Sequence, residues 1–436
     1  MKKLLLGILC IALSILVCSC SGNQDGELES SENQDKQFDP VKSEDLFDYI
    51  VEKISTADYE NIYEYTSEDL YGLISEDSFV KIFTDITDMS GKYLSLENKN
   101  IKSEGGIDVI YSTLNFENIV LELQISVKNL KICGISKNVL FKKAFDTERD
   151  DKIVEHHFLI ENDGCELNAV YTYKKSSDLS VAVLIIPGSG PMDYNGTVGL
   201  LEPYKDIAIG FAKNGVSSLR IDKRTLNHAD KMGVKSGIKE EYLNDFTKAL
   251  EFLKSEGYDN IILLGHSLGG QIALDIACNN DFVNGVILFN SSPRHLAEVA
   301  RDQLISYDNG NAEAYNNYCE IAKNVHSSNA KGYYYFGAND YYWASYNELN
   351  IEESIQNSNF KSLVINSTND RQVFMSDIYG WNKLFENKSN VKIHIFNDIS
   401  HYGYKIDTLN TSLLYKKTDF PEDLITLLVN FCKQEV

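Results

Sequence analysis

The stretch Leu264-Gly265-His266-Ser267-Leu268-Gly269-Gly270 sets a serine among glycines, where the apolar run Asn260 to Leu264 gives way to a helical pattern from Gln271 to Cys278. A turn this sharp between strand and helix forces the serine backbone into a strained conformation, and bulk at Gly265 or Gly269 would collide with a neighbouring element. The same turn puts the amide of Leu268 at a helix start, where a developing oxyanion is stabilised. A nucleophilic serine needs a base, and the base needs an orienting acid. Asp370 follows the apolar run Leu363 to Ile365, and His401 follows the run Val391 to Phe396. Both therefore fall in loops past the ends of late strands, in the order serine, acid, histidine. Asp398 is the alternative acid, although it shares a loop with His401. His266 adjoins the serine and is read as packing, and His394 lies within a strand. His156, His157, His228, His295 and His326 follow no late strand. A second oxyanion donor is expected from Pro187-Gly188-Ser189-Gly190-Pro191, with the Ser189 amide as first choice. Glycine there lets the backbone approach a reacting carbonyl closely; an ordinary glycine turn is the alternative.

The elements that must hold these residues alternate. Apolar runs at Val181 to Ile186, Val216 to Ile221, Asn260 to Leu264, Val286 to Phe289, Leu363 to Ile365 and Val391 to Phe396 are separated by helical patterns at Tyr204 to Lys213, Glu240 to Ser255, Gln271 to Cys278 and Asp377 to Phe385. A last helical pattern runs from Glu422 to Phe431. Such alternation predicts an α/β domain, a mostly parallel sheet with helices on both faces. The site then belongs at the carboxyl ends of the strands. The long gap between Ser267 and Asp370 requires an insertion. Residues 294–358 interrupt the rhythm with Tyr333-Tyr334-Tyr335-Phe336 and Tyr341-Tyr342-Trp343 and predict a helical cap, whose aromatics line a pocket or pack the cap onto the body.

Residues from about 180 to 436 resemble the α/β-hydrolase superfamily, and within it the bacterial serine aminopeptidase-like and acyl-thioester-hydrolase-like branch. The resemblance rests on Pro187-Gly188-Ser189-Gly190-Pro191, on Leu219-Arg220-Ile221-Asp222-Lys223-Arg224, on Gly265-His266-Ser267-Leu268-Gly269-Gly270, and on Asp370 and His401. Thr225 stands where a glycine usually follows the Asp-Lys-Arg run, and Asn195-Gly196 where an Asp-Gly pair is frequent. The resemblance implies the α/β-hydrolase fold and a serine hydrolase acting on a small-molecule carboxylic ester or acyl substrate, with no metal or organic cofactor. Aminopeptidase and acyl-thioester hydrolase are the alternatives of the same class. An aminopeptidase should place carboxylates in the cap, where Glu298, Asp302, Glu313, Glu320 and Asp340 are available. From a different class, a binding lipoprotein with an inert hydrolase domain stays open.

Ahead of this domain, residues 40–148 read as a small α+β domain. Leu46, Phe47, Ile50 and Ile54 recur at helical spacing, as do Leu70, Leu73 and Ile74, then Phe79, Ile82, Phe83 and Ile86. Alternating runs follow at Tyr93 to Leu96, Val109 to Leu114, Ile119 to Val127 and Leu130 to Ile135. The segment is similar to the cone-shaped domains related to nuclear transport factor 2, through its element order, Gly91-Lys92-Tyr93 and Lys131-Ile132-Cys133-Gly134-Ile135. It has no His, Asp and Glu cluster at catalytic spacing, so a partner-binding or spacer role is expected.

The first residues read as an export signal. Lys2 and Lys3 precede an apolar run from Leu4 to Val17, shorter than the ~20 residues of a spanning helix. Val17-Cys18-Ser19-Cys20 resembles a bacterial lipobox; small Ser19 makes Cys20 the expected acylated residue. Residues 1–19 are then a lipoprotein signal peptide and 20–39 a polar flexible tether, giving an extracytoplasmic protein held to the cell membrane by lipid. An ordinary secretory signal is the alternative. With 41 Lys plus Arg against 64 Asp plus Glu, the net charge of −23 argues against nucleic-acid binding. Past the lipobox, Cys133, Cys165, Cys278, Cys319 and Cys432 form no CxxC pair, which argues against zinc and thioredoxin-like sites.

Overall fold

The computed structural model describes residues 38–67, 76–77, 79–80, 83–84, 90–104, 106–117, 119–142, 152–175, 180–199, 201–307, 312–349, 351–405 and 420–434. The signal peptide, Cys20, the tether and the helix expected at Leu70 to Ile74 lie outside them, as do Ile82 and Ile86. The chain divides into two compact units, with the division between 147 and 148.

In the smaller unit, helix α1 (Ser43–Thr56) buries Leu46, Phe47, Ile50, Val51 and Ile54 on one face, the stripe its spacing dictates. Four strands follow, β1 (Tyr93–Glu104), β2 (Ile107–Phe116), β3 (Ile119–Lys128) and β4 (Lys131–Lys142), paired antiparallel in chain order. The strands β1, β2 and β4 extend beyond the apolar runs that announced them.

The larger unit opens on an antiparallel hairpin of β5 (Ile153–Asn162) and β6 (Cys165–Lys174). Sequence periodicity did not mark this hairpin: β5 is half exposed along most of its length. Then come β7 (Val181–Ile186), α2 (Pro203–Lys213), β8 (Ser217–Ile221), the short α3 (Arg224–Asn227), α4 (Asn244–Ser255), β9 (Asn260–His266), α5 (Leu268–Cys278) and β10 (Val283–Phe289). The insertion holds α6 (Leu296–Tyr307), α7 (Ala312–Asn324), a two-residue-per-strand hairpin of β11 (Tyr334–Tyr335) and β12 (Ala338–Asn339), α8 (Asp340–Tyr346) and α9 (Ile351–Asn357). It is therefore not wholly helical. β13 (Lys361–Ser367), α10 (Met375–Leu384), β14 (Val391–Phe396) and α11 (Glu422–Cys432) complete the unit.

Eight strands form one sheet in the order β14-β13-β10-β9-β7-β8-β6-β5. The run from β14 to β8 is parallel, and β6 and β5 are antiparallel. All six residues of β7 are buried because its side chains alternate between two cores. Ala182, Leu184 and Ile186 share one core with Phe246, Leu250 and Ile272, while Val181, Val183 and Ile185 share the other with Ile207, Phe211, Leu424 and Leu428. Helices thus cover both faces, which leaves the strand ends as the open place for chemistry.

Candidate active site

Ser267 sits between β9 and α5 with φ 54° and ψ −124°, a left-handed conformation that a non-glycine residue adopts only under constraint. The constraint is visible in the flanking glycines. A Cβ on Gly265 would lie 2.1 Å from the carbonyl oxygen of Gly269, and one on Gly269 would lie 2.3 Å from that of Ile186. The Ser267 amide donates to the carbonyl of Phe289 at 3.0 Å, and the Gly270 amide to that of Ser267 at 3.0 Å. The turn thus hands the serine to the first residue of α5, Leu268, whose amide opens the helix.

His401 and Asp370 meet. His401 Nδ1 lies 2.6 Å from Asp370 Oδ2, and both residues are buried. The other carboxylate oxygen accepts from the amides of Gln372 (2.7 Å) and Val373 (2.9 Å), which fixes the orientation of the carboxylate. Asp398 is half exposed and lies 3.6 Å from Lys405; its shared loop carries it out to solvent.

His266 does more than pack. Its Nε2 is 2.9 Å from the carbonyl of His401, so Nε2 is the donor there and the ring is the Nε2–H tautomer. Its Nδ1 then accepts from the hydroxyl of Tyr204 at 2.9 Å, and that hydroxyl accepts from the Gly188 amide at 3.3 Å. Asn290 Nδ2 donates to the same His401 carbonyl at 2.8 Å. Burial, with the nearby His401 second, holds His266 well below the ordinary 6.5, as the neutral ring. The loop after β7 is thereby linked through the serine's neighbour to the loop that carries His401. Neither Tyr204 nor Asn290 belongs to a motif, and sequence reading missed both.

A Cβ on Gly188 would stand 3.1 Å from Ser267 Cβ and 3.6 Å from its hydroxyl, so the Pro187 to Pro191 loop runs beside the serine. A cavity of about 110 Å³ begins at Ser189, Gly190 and Pro191 and is closed by Tyr334, Phe336 and Trp343 of the insertion. Part of the aromatic cluster therefore lines a pocket, while Trp343 and Tyr346 are also buried in the core. Thr225 falls in α3 and faces the same cavity. Three cap carboxylates are already engaged. Glu298 pairs with Lys323 at 2.7 Å, Asp302 with Arg294 at 2.5 Å, and Asp340 accepts from the amides of Lys331 and Gly332. Among the described residues no group of three His, Cys, Asp or Glu could hold a metal ion, and no helix is long and apolar enough to cross a membrane.

A parallel sheet with an antiparallel hairpin at one edge, a strained serine after β9, and an acid and a histidine after β13 and β14 define the architecture. The larger unit has the α/β-hydrolase fold. The chain is 24% identical to Esterase EstD of Thermotoga maritima over 379 residues, 84% of this chain and 89% of that one. That share exceeds the length of the α/β-hydrolase unit, so the similarity reaches into the smaller unit. Residues 48–135 match a family described only as a protein of unknown function, DUF3887. Solved structures similar to this chain include Est1E from Butyrivibrio proteoclasticus, with 16% identity, 64% of this chain, 98% of that chain and TM-score 0.43. Another is an acylaminoacyl peptidase from Pyrococcus horikoshii, with 13% identity, 80% of this chain, 57% of that chain and TM-score 0.47.

Proposed function

We propose that the protein is a serine hydrolase that cleaves an uncharged carboxylic ester through an acyl-enzyme. Ser267 Oγ attacks the ester carbonyl while His401 Nε2 takes its proton. Asp370 holds the opposite nitrogen of the ring and stabilises the imidazolium. The oxyanion is received by the amides of Leu268 and Ser189. Collapse of the tetrahedral adduct expels the alcohol, protonated by His401, and a water activated by the same histidine then releases the acid. The observation that carries this reading is a serine held in a strained turn at a helix start, in a fold whose loops after β13 and β14 present a buried histidine–carboxylate pair. Similarity to an esterase supports the ester over the amide, and three of the five cap carboxylates are already engaged by other partners. Ser267→Ala should fold, lose turnover of a p-nitrophenyl ester by about 10⁶-fold and take no label from a fluorophosphonate probe. Equal labelling of wild type and variant would end the proposal.

The place of action is proposed from the first twenty residues: export, acylation of Cys20 and retention at the membrane surface, with the polar tether spacing the enzyme from the bilayer. A palmitate analogue fed to expressing cells should label the wild type and not Cys20→Ala; label that persists in the variant rejects the lipid anchor.

A further inference from the structure

The run Arg220-Ile221-Asp222-Lys223-Arg224 ends β8 and carries four charged side chains that are all buried. Charged residues are seldom buried without a specific partner, so each of these needs an account. Arg220 donates to Asn195 Oδ1 and Glu155 Oε1, both at 2.6 Å. Asp222 accepts from the Tyr194 amide at 2.8 Å, and the Lys223 amide donates to the Met192 carbonyl at 3.0 Å. Arg224 holds Asp245 with two nitrogens. Three of these contacts fasten the loop that follows β7.

Lys223 reaches furthest into that loop. Its side chain is fully buried, and its Nζ lies 2.6 Å from Glu241 Oε1. The same nitrogen lies 2.7 Å from the Gly190 carbonyl, 3.2 Å from the Gly188 carbonyl and 2.6 Å from the Tyr242 hydroxyl, so its three N–H groups are shared among four acceptors. The Tyr242 hydroxyl in turn donates to the Gly188 carbonyl. Two donors thus pull the Gly188 carbonyl to one side of the loop. In a trans peptide the N–H points opposite to the carbonyl, so the Ser189 amide is turned away from Lys223, while Gly188 stands against Ser267. An ammonium drawing on one end of a peptide group also polarises it, which makes the far N–H a better donor to a forming anion.

We infer that Lys223, with Glu241 and Tyr242, is a positioning device for the oxyanion site: it fixes and polarises the 188–189 peptide so that the Ser189 amide meets the tetrahedral adduct. Glu241 balances the buried charge and faces the cavity, so the device borders the space a substrate would occupy. Lys223 touches neither substrate nor serine; it acts through the backbone. This inference rests on the serine-hydrolase reading above.

The test uses the full chain. Removing Lys223 alone would strand a buried carboxylate, so the pair is removed together in Lys223→Met with Glu241→Gln. Steady-state hydrolysis of a p-nitrophenyl ester should show kcat lowered about 10²-fold, the scale of losing one oxyanion donor, with KM within about twofold. The inhibition constant of an aryl boronic acid, which forms a tetrahedral adduct on a serine, should rise by a similar factor. A change in packing alone would not move the tetrahedral analogue and kcat together while sparing KM. Tyr242→Phe removes one donor to the Gly188 carbonyl and should lower kcat severalfold with KM unmoved; it decides the matter if the double variant does not fold. Unchanged kcat and boronic acid affinity in a folded variant overturn the inference while the wild type stays active. A wild type that hydrolyses no ester and labels like Ser267→Ala overturns the functional reading, and this inference with it.

Discussion

The two flanks of Ser267 are built by different means. On the side of β13 and β14, one carboxylate and one imidazole meet at 2.6 Å, and two backbone amides complete the carboxylate's shell. On the side of β7 and β8, the proposed oxyanion donor is a backbone amide, and three of the four buried charges at the end of β8 bind the loop that carries it. A side chain that exchanges a proton needs one oriented partner; a peptide group that must present its N–H needs its whole loop fixed. The first kind of site leaves a few telling residue types in the sequence, whereas the second leaves charged residues that look like surface until the fold encloses them.

The largest separation between the flanks should come from the acid. Asp370→Asn keeps the shape but loses the carboxylate that orients the ring, and kcat should fall about 10⁴-fold, while Asp398→Asn should stay within about twofold, both read by steady-state ester hydrolysis. The reverse ranking would place the acid in the histidine's own loop. The Lys223 variants should cost about a hundredth of that loss, which sets a fixed backbone dipole against a misoriented base.

The smallest effect concerns stability. His266 joins the two flanks as a neutral ring whose folded pKa lies well below 6.5. Below 6.5 the unfolded chain takes up a proton that the folded protein refuses, so this group's contribution is present in full above 6.5 and shrinks as pH falls. Urea midpoints of wild type and His266→Asn should therefore converge between pH 7.5 and 5.5. A gap that stays constant across that range would mean that the ring is not held neutral.

Ser267, Asp370 and His401 were legible because a strand–glycine–serine–helix junction and the ends of two apolar runs fix their places by topology alone. The central parallel strands β7, β9, β10 and β13 were legible because burial on both faces leaves nearly unbroken apolar runs. The β5–β6 hairpin was not, since an edge ribbon with one wet face carries a weak alternation, here interrupted by His156 and His157. In the insertion, the aromatics at 333–336 marked a cap but could not announce a hairpin of two residues per strand. The role of His266 is not legible in the sequence, because its hydrogen-bond partners, Tyr204 and the His401 carbonyl, arrive from distant elements. The same is true of Lys223: its partners Gly188, Gly190 and Glu241 converge only once β7 and β8 pair.

The chain of contacts from the Gly188 amide through Tyr204 and His266 to the His401 carbonyl has a consequence for temperature. A site assembled by its substrate gives up motional freedom on every encounter. Here the freedom of both flanks is given up once, when the sheet forms, and the encounter has little left to order. Heating then acts on the reaction through its barrier alone until the sheet itself loosens. At that point the two flanks come apart together, because the same imidazole that joins them is the part that has to let go.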